Sequence, residues 1–510
     1  MNDSNRMYRK TIINNDDLFC EDLTTRPHPG KGKILVTGAT GYIGGRLVKE
    51  LLARGYKVRI MVRSASPEHA ERWPDAEIVV ADALECESLK NAMKGTHTAY
   101  YLIHSLLHGK KKLEKLEIRA AFNFRKTASE ENVKRIIYLG ALGDVNSSLS
   151  THLRSRMEVA EELKRGKVPV TILRAAIIIG SGSASYELIK NLAIKFPILF
   201  IPYWANTECQ PIAIRDVIKY LVGVMETTDS IGKTYDIGGK DVLSYKLMIK
   251  TLANLIGKHL IFIHSPFSWI APYAYIANIF TPVPGPIVWS LLEGIKNRVV
   301  CKNDDIKKVV PFQLLTYKEA VLRAMTRDEQ DNIHTRWSDA YPPAYYLALK
   351  LNELEKPAAY TASYSLFTNK DAHLLFHSIC RIGGKKGWFR NNWLWRLRGI
   401  LDRIIMGVGT ARGRRSSSSL RINDVIDFWR VEDIKNNDRL LLRAEMKLPG
   451  KAWLEFKIAN KDRENCLMIN AFYQPNGVLG LLYWYFFLPF HNIIFEGLIR
   501  QIEKRCDCSG

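Results

Sequence analysis

The stretch Lys33-Ile-Leu-Val-Thr-Gly-Ala-Thr-Gly-Tyr-Ile-Gly44 constrains this chain more than any other. Apolar and β-prone residues from Ile34 to Thr37 run into Gly38, Gly41 and Gly44. A periodic segment follows, with Ile43, Leu47, Val48, Leu51 and Leu52 on one helical face, ending at Gly55. A second apolar run, Val58 to Val62, comes next. Strand, glycine-rich turn, helix and strand in that order are the context in which a glycine triplet reads as a dinucleotide-binding fingerprint. The first glycine makes the tight turn, the second admits the backbone to a pyrophosphate, and the third lets the helix sit close to the strand. N–H groups at the helix start then meet the phosphates. The turn residues expected to hold the cofactor are Gly38, Thr40, Gly41, Tyr42, Ile43 and Gly44.

Strand-like and helix-like runs continue to alternate. Glu77 to Ala81 reads as a third strand, Thr98 to Ile103 as a fourth ending in His104-Ser105, Arg135 to Leu139 as a fifth and Val168 to Leu173 as a sixth, with a long helix from Lys111 to Asn132. This alternation predicts an α/β domain, a Rossmann doubly wound parallel sheet. The form TGATGYIG, spaced GxxGxxG, resembles the extended and atypical short-chain dehydrogenase/reductases, with their NmrA-like and epimerase-like members. Val80-Ala81-Asp82-Ala83-Leu84, Leu173-Arg174 to Gly180, Gln210 to Val217 and Tyr235 to Gly239 resemble later segments of that superfamily. The likeness runs from about Lys33 to about Met325 and is specific as far as residue 240. It implies that Asp82 and Ala83 lie against the adenine, although Asp82 reads equally well as a helix N-cap. Arg174 and Tyr186 are expected near the same cleft, with a packing or ion-pair role as the alternative. The second strand ends Met61-Val62-Arg63, so Val62 stands where a carboxylate would accept from the ribose of NAD. Arg63 suits the 2′-phosphate instead. The expected cofactor is NADP, with NAD the lesser alternative.

The resemblance also implies a Tyr-x-x-x-Lys pair, in which the tyrosine moves the proton and the lysine holds the ribose. Here the corresponding positions read His152-Leu153-Arg154-Ser155-Arg156, and Gly140-Ala141 replaces the upstream hydroxyl. Two readings stay open. In one, His152 is the general acid/base and Arg156, a helical turn away, grips ribose or phosphate. In the other, both are structural and the domain binds NADPH without turnover, as an NmrA-like sensor would.

Farther on, residues 259 to 295 are apolar and aromatic but broken by Pro282, Pro284 and Pro286, which fits a substrate lobe better than a spanning helix. The C-terminal part has its own motifs, Gly383-Gly384-Lys385-Lys386-Gly387-Trp388, Asn392-Trp393-Leu394-Trp395 and Asp424 to Glu432. They resemble an uncharacterised family that follows dehydrogenase-like domains and is similar to the START-like, polyketide-cyclase (SRPBCC) superfamily. The implied fold is an α+β helix-grip domain with a cavity for an apolar ligand. Leu440 to Lys447, Ala452 to Ile458 and Leu467 to Gln474 read as strands, and His491 to Lys504 as a final amphipathic helix. Val478 to Phe490, the most hydrophobic stretch, reads as strand core plus helix start, with a membrane-contacting edge or a spanning segment as alternatives.

The expected organisation is a flexible leader (1–31), a dinucleotide-binding domain (32–330) with a substrate lobe from about 240, a linker (331–364) and a helix-grip domain (365–510). The net charge of +22 favours anionic partners, yet the basic residues are dispersed apart from Lys110 to Lys112 and Arg412 to Arg415. No nucleic-acid motif accompanies them, so nucleic acid is set aside. The eight scattered cysteines form no zinc pattern, so no metal is expected, and they fit a reducing cytoplasm. The polar N-terminus has no apolar signal core. These features favour an NAD(P)-dependent oxidoreductase for a lipophilic carbonyl or alcohol, cytoplasmic or peripheral at an inner membrane. The rivals are a non-catalytic NADPH sensor and a scaffold bound to anionic membrane.

Overall fold

Successive side chains of β1 (Lys33–Thr37) enter opposite cores, and this alternation organises the first of two compact units. Ile34 and Val36 join one apolar cluster, with Leu47, Val48 and Leu51 of α1 (Gly44–Ala53). Leu35, between them, joins a second. A strand clothed on both faces is what a parallel sheet requires. The chain is described here by a computed structural model covering residues 18–63, 67–103, 111–143, 150–329, 335–340, 351, 354, 357–384, 387–388, 392–405, 407–409, 420–461 and 464–507.

The sheet contains β2 (Val58–Val62), β3 (Glu77–Val80), β4 (Thr96–Tyr101), β5 (Arg135–Ala141), β6 (Val170–Ala175) and β11 (Thr234–Ile237) besides β1. Its order is β11-β6-β5-β4-β1-β2-β3, and every pairing is parallel. Strand order reverses between β1 and β4, which opens a crevice beyond their carboxyl ends. Helices α3 (Cys86–Met93), α4 (Lys111–Glu130) and α5 (Thr151–Lys164) supply the core on one face, and α1 and α7 (Ile214–Glu226) that on the other. The doubly wound parallel sheet is therefore present as the alternation of patterns predicts.

Residues 19–31, read from sequence as part of a leader, are docked. Phe19, Cys20 and Leu23 are buried in the α1–α7 core. The Phe19 and Cys20 amides donate to the Glu50 carboxylate at 2.6 and 3.2 Å, and Asp22 pairs with Lys219 at 2.6 Å. Burial raises the Glu50 pKa, and the two amide bonds oppose that rise. Polar composition hid three apolar anchors.

After β11 come α8 (Tyr245–Leu255), β13 (Ile261–His264), α9 (Ile270–Phe280) and α10 (Gly285–Ile295). The prolines at 282, 284 and 286 separate or open the two last helices, each too short to cross a membrane.

The second unit takes in residues 278–285 and 344–510. Its sheet is antiparallel, in the order β14 (Tyr360–Thr368), β19 (Glu464–Pro475), β18 (Gly450–Lys461), β17 (Arg439–Ala444), β16 (Trp429–Lys435) and β15 (Val425–Ile426). Between β14 and β15 lie α13 (Ala372–Ile379) and α14 (Asn392–Ile404). Position 365 falls inside β14, whose first strand residue is Tyr360. The stretch Val478 to Phe490 is helical, not strand. It opens α15 (Gly477–Lys504), a 28-residue helix that runs through Pro489 and packs on β19 and β14. Proline removes one amide donor, here the partner of the Tyr485 carbonyl. Tyr485 is exposed, so water can take the missing bond.

Candidate active site

Gly38 has φ +66°, the left-handed region that disfavours a side chain, and a Cβ there would lie 2.7 Å from the Leu102 carbonyl oxygen after β4. At Gly44 a Cβ would stand 2.2 Å from the Gly38 carbonyl oxygen. The start of α1 thus lies on the turn itself, with the Gly41 amide donating to Gly38 O at 2.9 Å. No side chain caps this helix and no acid sits in its first turn. Backbone stripped of side chains and caps at a helix start is a cradle that an anion fills. A pyrophosphate fits such a cradle, and Thr40, Gly41, Tyr42 and Ile43 belong to the turn between Gly38 and Gly44.

Two residues that sequence reasoning missed hold this cradle. The Thr37 hydroxyl donates to Tyr100 O at 2.8 Å and accepts from Leu102 N at 3.1 Å, tying β1 to β4 where the strand order reverses. Arg46 is buried. Its guanidinium lies 4.2 Å over the Tyr42 ring and donates to the carbonyls of Tyr42, Thr335 and Ser181, each at 3.1 Å. A cation so near the positive end of a helix is unfavourable; three carbonyls offset it. Ser181 and Thr335 are 135 and 289 residues away in sequence, so no local pattern announces the clamp.

Arg63 follows β2 immediately, its guanidinium set among atoms that displace water from it. Desolvation pulls its pKa down and the Asp82 carboxylate pulls it up; an arginine stays charged either way. The two residues therefore stand close enough to feel each other. Asp82 accepts from Leu84 N at 2.9 Å in a turn ahead of α3, whose N-cap is Glu85. Asp82 thus shapes the approach to the helix and does not cap it. Ala83 is buried, and its carbonyl accepts from Asn123 at 3.1 Å. A further cation went unnoticed in the sequence: a Cβ at Gly45 would meet the Arg72 Nη2 at 2.8 Å, so Arg72 reaches the first turn of α1.

On α5, Ser150 caps the helix by accepting from Leu153 N at 3.3 Å. His152 sits half-buried in the first turn. Arg156 Nη1 donates to Leu139 O at 3.1 Å, and the Tyr138 hydroxyl donates to Arg156 O at 3.1 Å. Arg156 consequently fastens α5 to the end of β5, while its buried Nε has no partner among the described residues. Arg174 is engaged elsewhere. It forms a two-pronged pair with Asp236 on the neighbouring β11, Nε at 2.7 Å and Nη2 at 2.5 Å, and Asp236 also accepts from Lys302 N at 3.1 Å. This is the ion-pair role, with the guanidinium held in the sheet. Tyr186 is fully buried on α6 (Ala184–Lys195). His104 and Ser105 lie outside the described residues.

Gly38–Gly44, Arg63, Asp82, His152 and Arg156 follow the carboxyl ends of β1, β2, β3 and β5, one edge of the sheet. The cavity of about 190 Å³ lined by Lys31, His97, Lys134 and Arg135 lies at the opposite, amino-terminal edge and is separate from this constellation.

The NmrA-like family model matches residues 30–289, just over half of the sequence. The chain belongs to the NmrA-like family. Its NmrA-like domain is an NAD(P)-binding Rossmann domain of the oxidoreductase type. Residues 356–498 match a second family, described as a protein of unknown function (DUF2867). Among characterised relatives, the sequence is 26% identical over 330 residues to NADH dehydrogenase [ubiquinone] 1 alpha subcomplex subunit 9, mitochondrial, of Arabidopsis thaliana, covering 61% of this chain and 82% of that one. It is 25% identical over 222 residues to divinyl chlorophyllide a 8-vinyl-reductase, chloroplastic, of Zea mays, covering 40% of this chain and 54% of that one. To ceramide reductase of Caulobacter vibrioides it is 26% identical over 202 residues, covering 39% and 62%. The chain thus spans a little over half the length of these two reductases.

Proposed function

We propose that this protein is an NADP-dependent reductase of a lipophilic carbonyl compound, or in reverse the corresponding alcohol dehydrogenase, with His152 as the proton donor. The observation that carries this reading is the side-chain-free cradle at Gly38 and Gly44 on the same sheet edge as α5. Bound NADPH supplies the hydride. Around it, Arg63 with Arg72 nearby favours a 2′-phosphate by charge-assisted hydrogen bonds. Asp82 and Ala83 line the adenine side. Arg156 holds α5 on β5 and thereby fixes His152, whose imidazolium gives its proton to the carbonyl oxygen as the alkoxide develops.

The lipophilic substrate is supported from two directions. Two of the relatives named above are reductases, one of ceramide and one of divinyl chlorophyllide. In the second unit, β14 pairs with the last strand, β19, of an antiparallel sheet and a long helix packs on both, which supports a helix-grip reading. We read that unit as START-like, a holder for an apolar molecule.

A second reading has a specific observation behind it. Arg156 is committed to the Leu139 carbonyl, where the superfamily's lysine would meet the ribose. In that reading the domain senses NADPH without turnover. Following NADPH absorbance with a panel of hydrophobic ketones separates the two, since the sensor binds NADPH yet never oxidises it. Fluorescence titration tests the cofactor choice. Wild type is expected to prefer NADPH to NADH, and Arg63→Ala to lose about ten- to a hundredfold of NADPH affinity, the worth of a hydrogen bond to a charged group. Equal affinity of the wild type for both cofactors removes Arg63 from the assignment.

A further inference from the structure

Among the described residues, two helices of the second unit each expose an apolar face. On α15, Val478, Leu482, Phe486, Phe490 and Ile493 repeat at helical spacing along one face, and all are exposed, Val478 by 75% and Phe486 by 67%. The opposite face carries Gly480, Trp484, Phe495, Leu498 and Ile502, which are buried toward the sheet. On α14, Trp393, Leu397, Ile400, Leu401 and Ile404 likewise share one exposed face, while Trp395, Gly399 and Asp402 are buried. A surface helix of a water-soluble domain ordinarily reverses this pattern on its outer side.

The two helices touch through side chains. The Arg398 side chain on α14 hydrogen-bonds to Tyr483 on α15, and Trp395 meets Phe495 edge-on with ring centroids 6.4 Å apart. Both helices also converge on the turn after β17. Lys447 Nζ donates to Ile405 O at 2.6 Å, just past α14, and Gly480 of α15 sits so close that a Cβ would lie 2.3 Å from Pro449 O.

We infer that this α14–α15 face docks in the plane of an anionic lipid bilayer. Charge selects that occupant over others. From Gly477 to Phe495 there is no Asp, Glu, Lys or Arg, and on α14 the sole acid is Asp402. Asp402 is fully buried and accepts from Lys447 N at 2.7 Å and Gly409 N at 2.8 Å. The exposed charges beside the apolar residues are the cations Arg396 and Lys447, and the acid Glu496 one turn past Ile493 at the end of the stripe. A long uncharged run of aromatic and aliphatic side chains, with cations beside it and the exposed Glu496 at its far end, matches the boundary between acyl chains and anionic headgroups. By length and composition α15 could cross a membrane. Its other face, however, is seated on β19 and β14, so lipid cannot surround it and the helix lies along the surface.

The test is co-sedimentation of the full-length protein with sucrose-loaded vesicles. Vesicles of phosphatidylcholine with phosphatidylglycerol are expected to pellet the wild type, with binding weakened severalfold in pure phosphatidylcholine or at about 0.5 M salt. Leu482→Glu with Phe486→Glu, both at exposed positions, is expected to lower binding at least tenfold while far-UV circular dichroism and NADPH binding stay unchanged. Wild-type protein left in the supernatant of anionic vesicles at low salt overturns the proposal. So does a double variant that binds as the wild type does, or protein that resists alkaline carbonate extraction, which marks a spanning helix. Sedimentation velocity without lipid gives the remaining check: a wild-type dimer that the double variant abolishes assigns the face to a second copy instead.

Discussion

At Gly44 the cost of one methyl group can be argued from backbone atoms alone. The Cβ of Gly44→Ala would stand 2.2 Å from the Gly38 carbonyl oxygen and 2.7 Å from its carbon, neither of which can swing aside. Either α1 moves off the turn or the turn opens, and both displace the groups that face a phosphate. NADPH titration of this variant is expected to show binding lost, and urea unfolding a destabilisation of about 1–3 kcal/mol, the usual cost of overpacking. Gly294→Ala is the control. Nothing lies within 4 Å of its Cβ, so stability should hold or rise slightly. His491 makes a different residue-scale case. It sits between Trp484 and Phe495, with ring centroids at 5.3 and 5.4 Å, and burial pushes its pKa down to about 4 from an ordinary 6.5. In the unfolded chain the imidazole takes up a proton below about 6.5, whereas in the folded one it stays neutral to about pH 4. The unfolded state therefore binds more protons in that window, and stability falls as pH falls through it. Chemical denaturation of wild type and His491→Phe at pH 7.5 and pH 5 should give a smaller acid loss in the variant; equal losses would show that His491 is not the titrating group.

Among the elements, α5 decides whether the cradle serves a reaction. If His152 moves a proton, His152→Ala is expected to lower kcat by about 10²–10⁴-fold while NADPH affinity is retained, because the glycine turn is built by other strands. Arg156→Ala is expected to weaken both, since its bond to Leu139 O positions the whole first turn. Turnover that survives His152→Ala would transfer the proton to water. The glycine turn and the alternating strands were legible because their signals are local: a φ of +66° at Gly38 and side chains alternating between two cores. Asp82 was legible only in part, because an acid before a helix serves a turn and a cap equally well in sequence. The Arg46 clamp and the Arg174–Asp236 pair were not legible, because their partners are distant in sequence and guanidinium groups carry no periodic signature. The α15 helix was misread for a physical reason. Aromatic and β-branched runs favour strands, and Pro489 argues against helix. A sheet to lie on outweighed both.

At the scale of the whole molecule, the chain divides into two compact units, each with its own sheet and apolar core. Residues 278–285 belong with the second unit although some sixty residues of the first follow them in sequence. Within that unit the Arg403 guanidinium donates to the carbonyls of Asn278 and Thr281. A fragment begun at residue 344 or 365 would leave a buried arginine without those acceptors, a charge-assisted loss that costs more than an ordinary hydrogen bond. Ligand linkage on the intact chain is therefore the sounder probe. NADPH at a hundred times its Kd should stabilise the unit that binds it by about 2.7 kcal/mol. A fluorescent fatty acid, if held by the antiparallel sheet and α15, should act on the other. In calorimetry of the full-length protein, NADPH is expected to raise one transition and the fatty acid a different one. Two ligands that move the same transition would show either a single cooperative unit or a shared site, and the fatty acid's failure to move any transition would remove the apolar cavity while leaving the cofactor assignment intact.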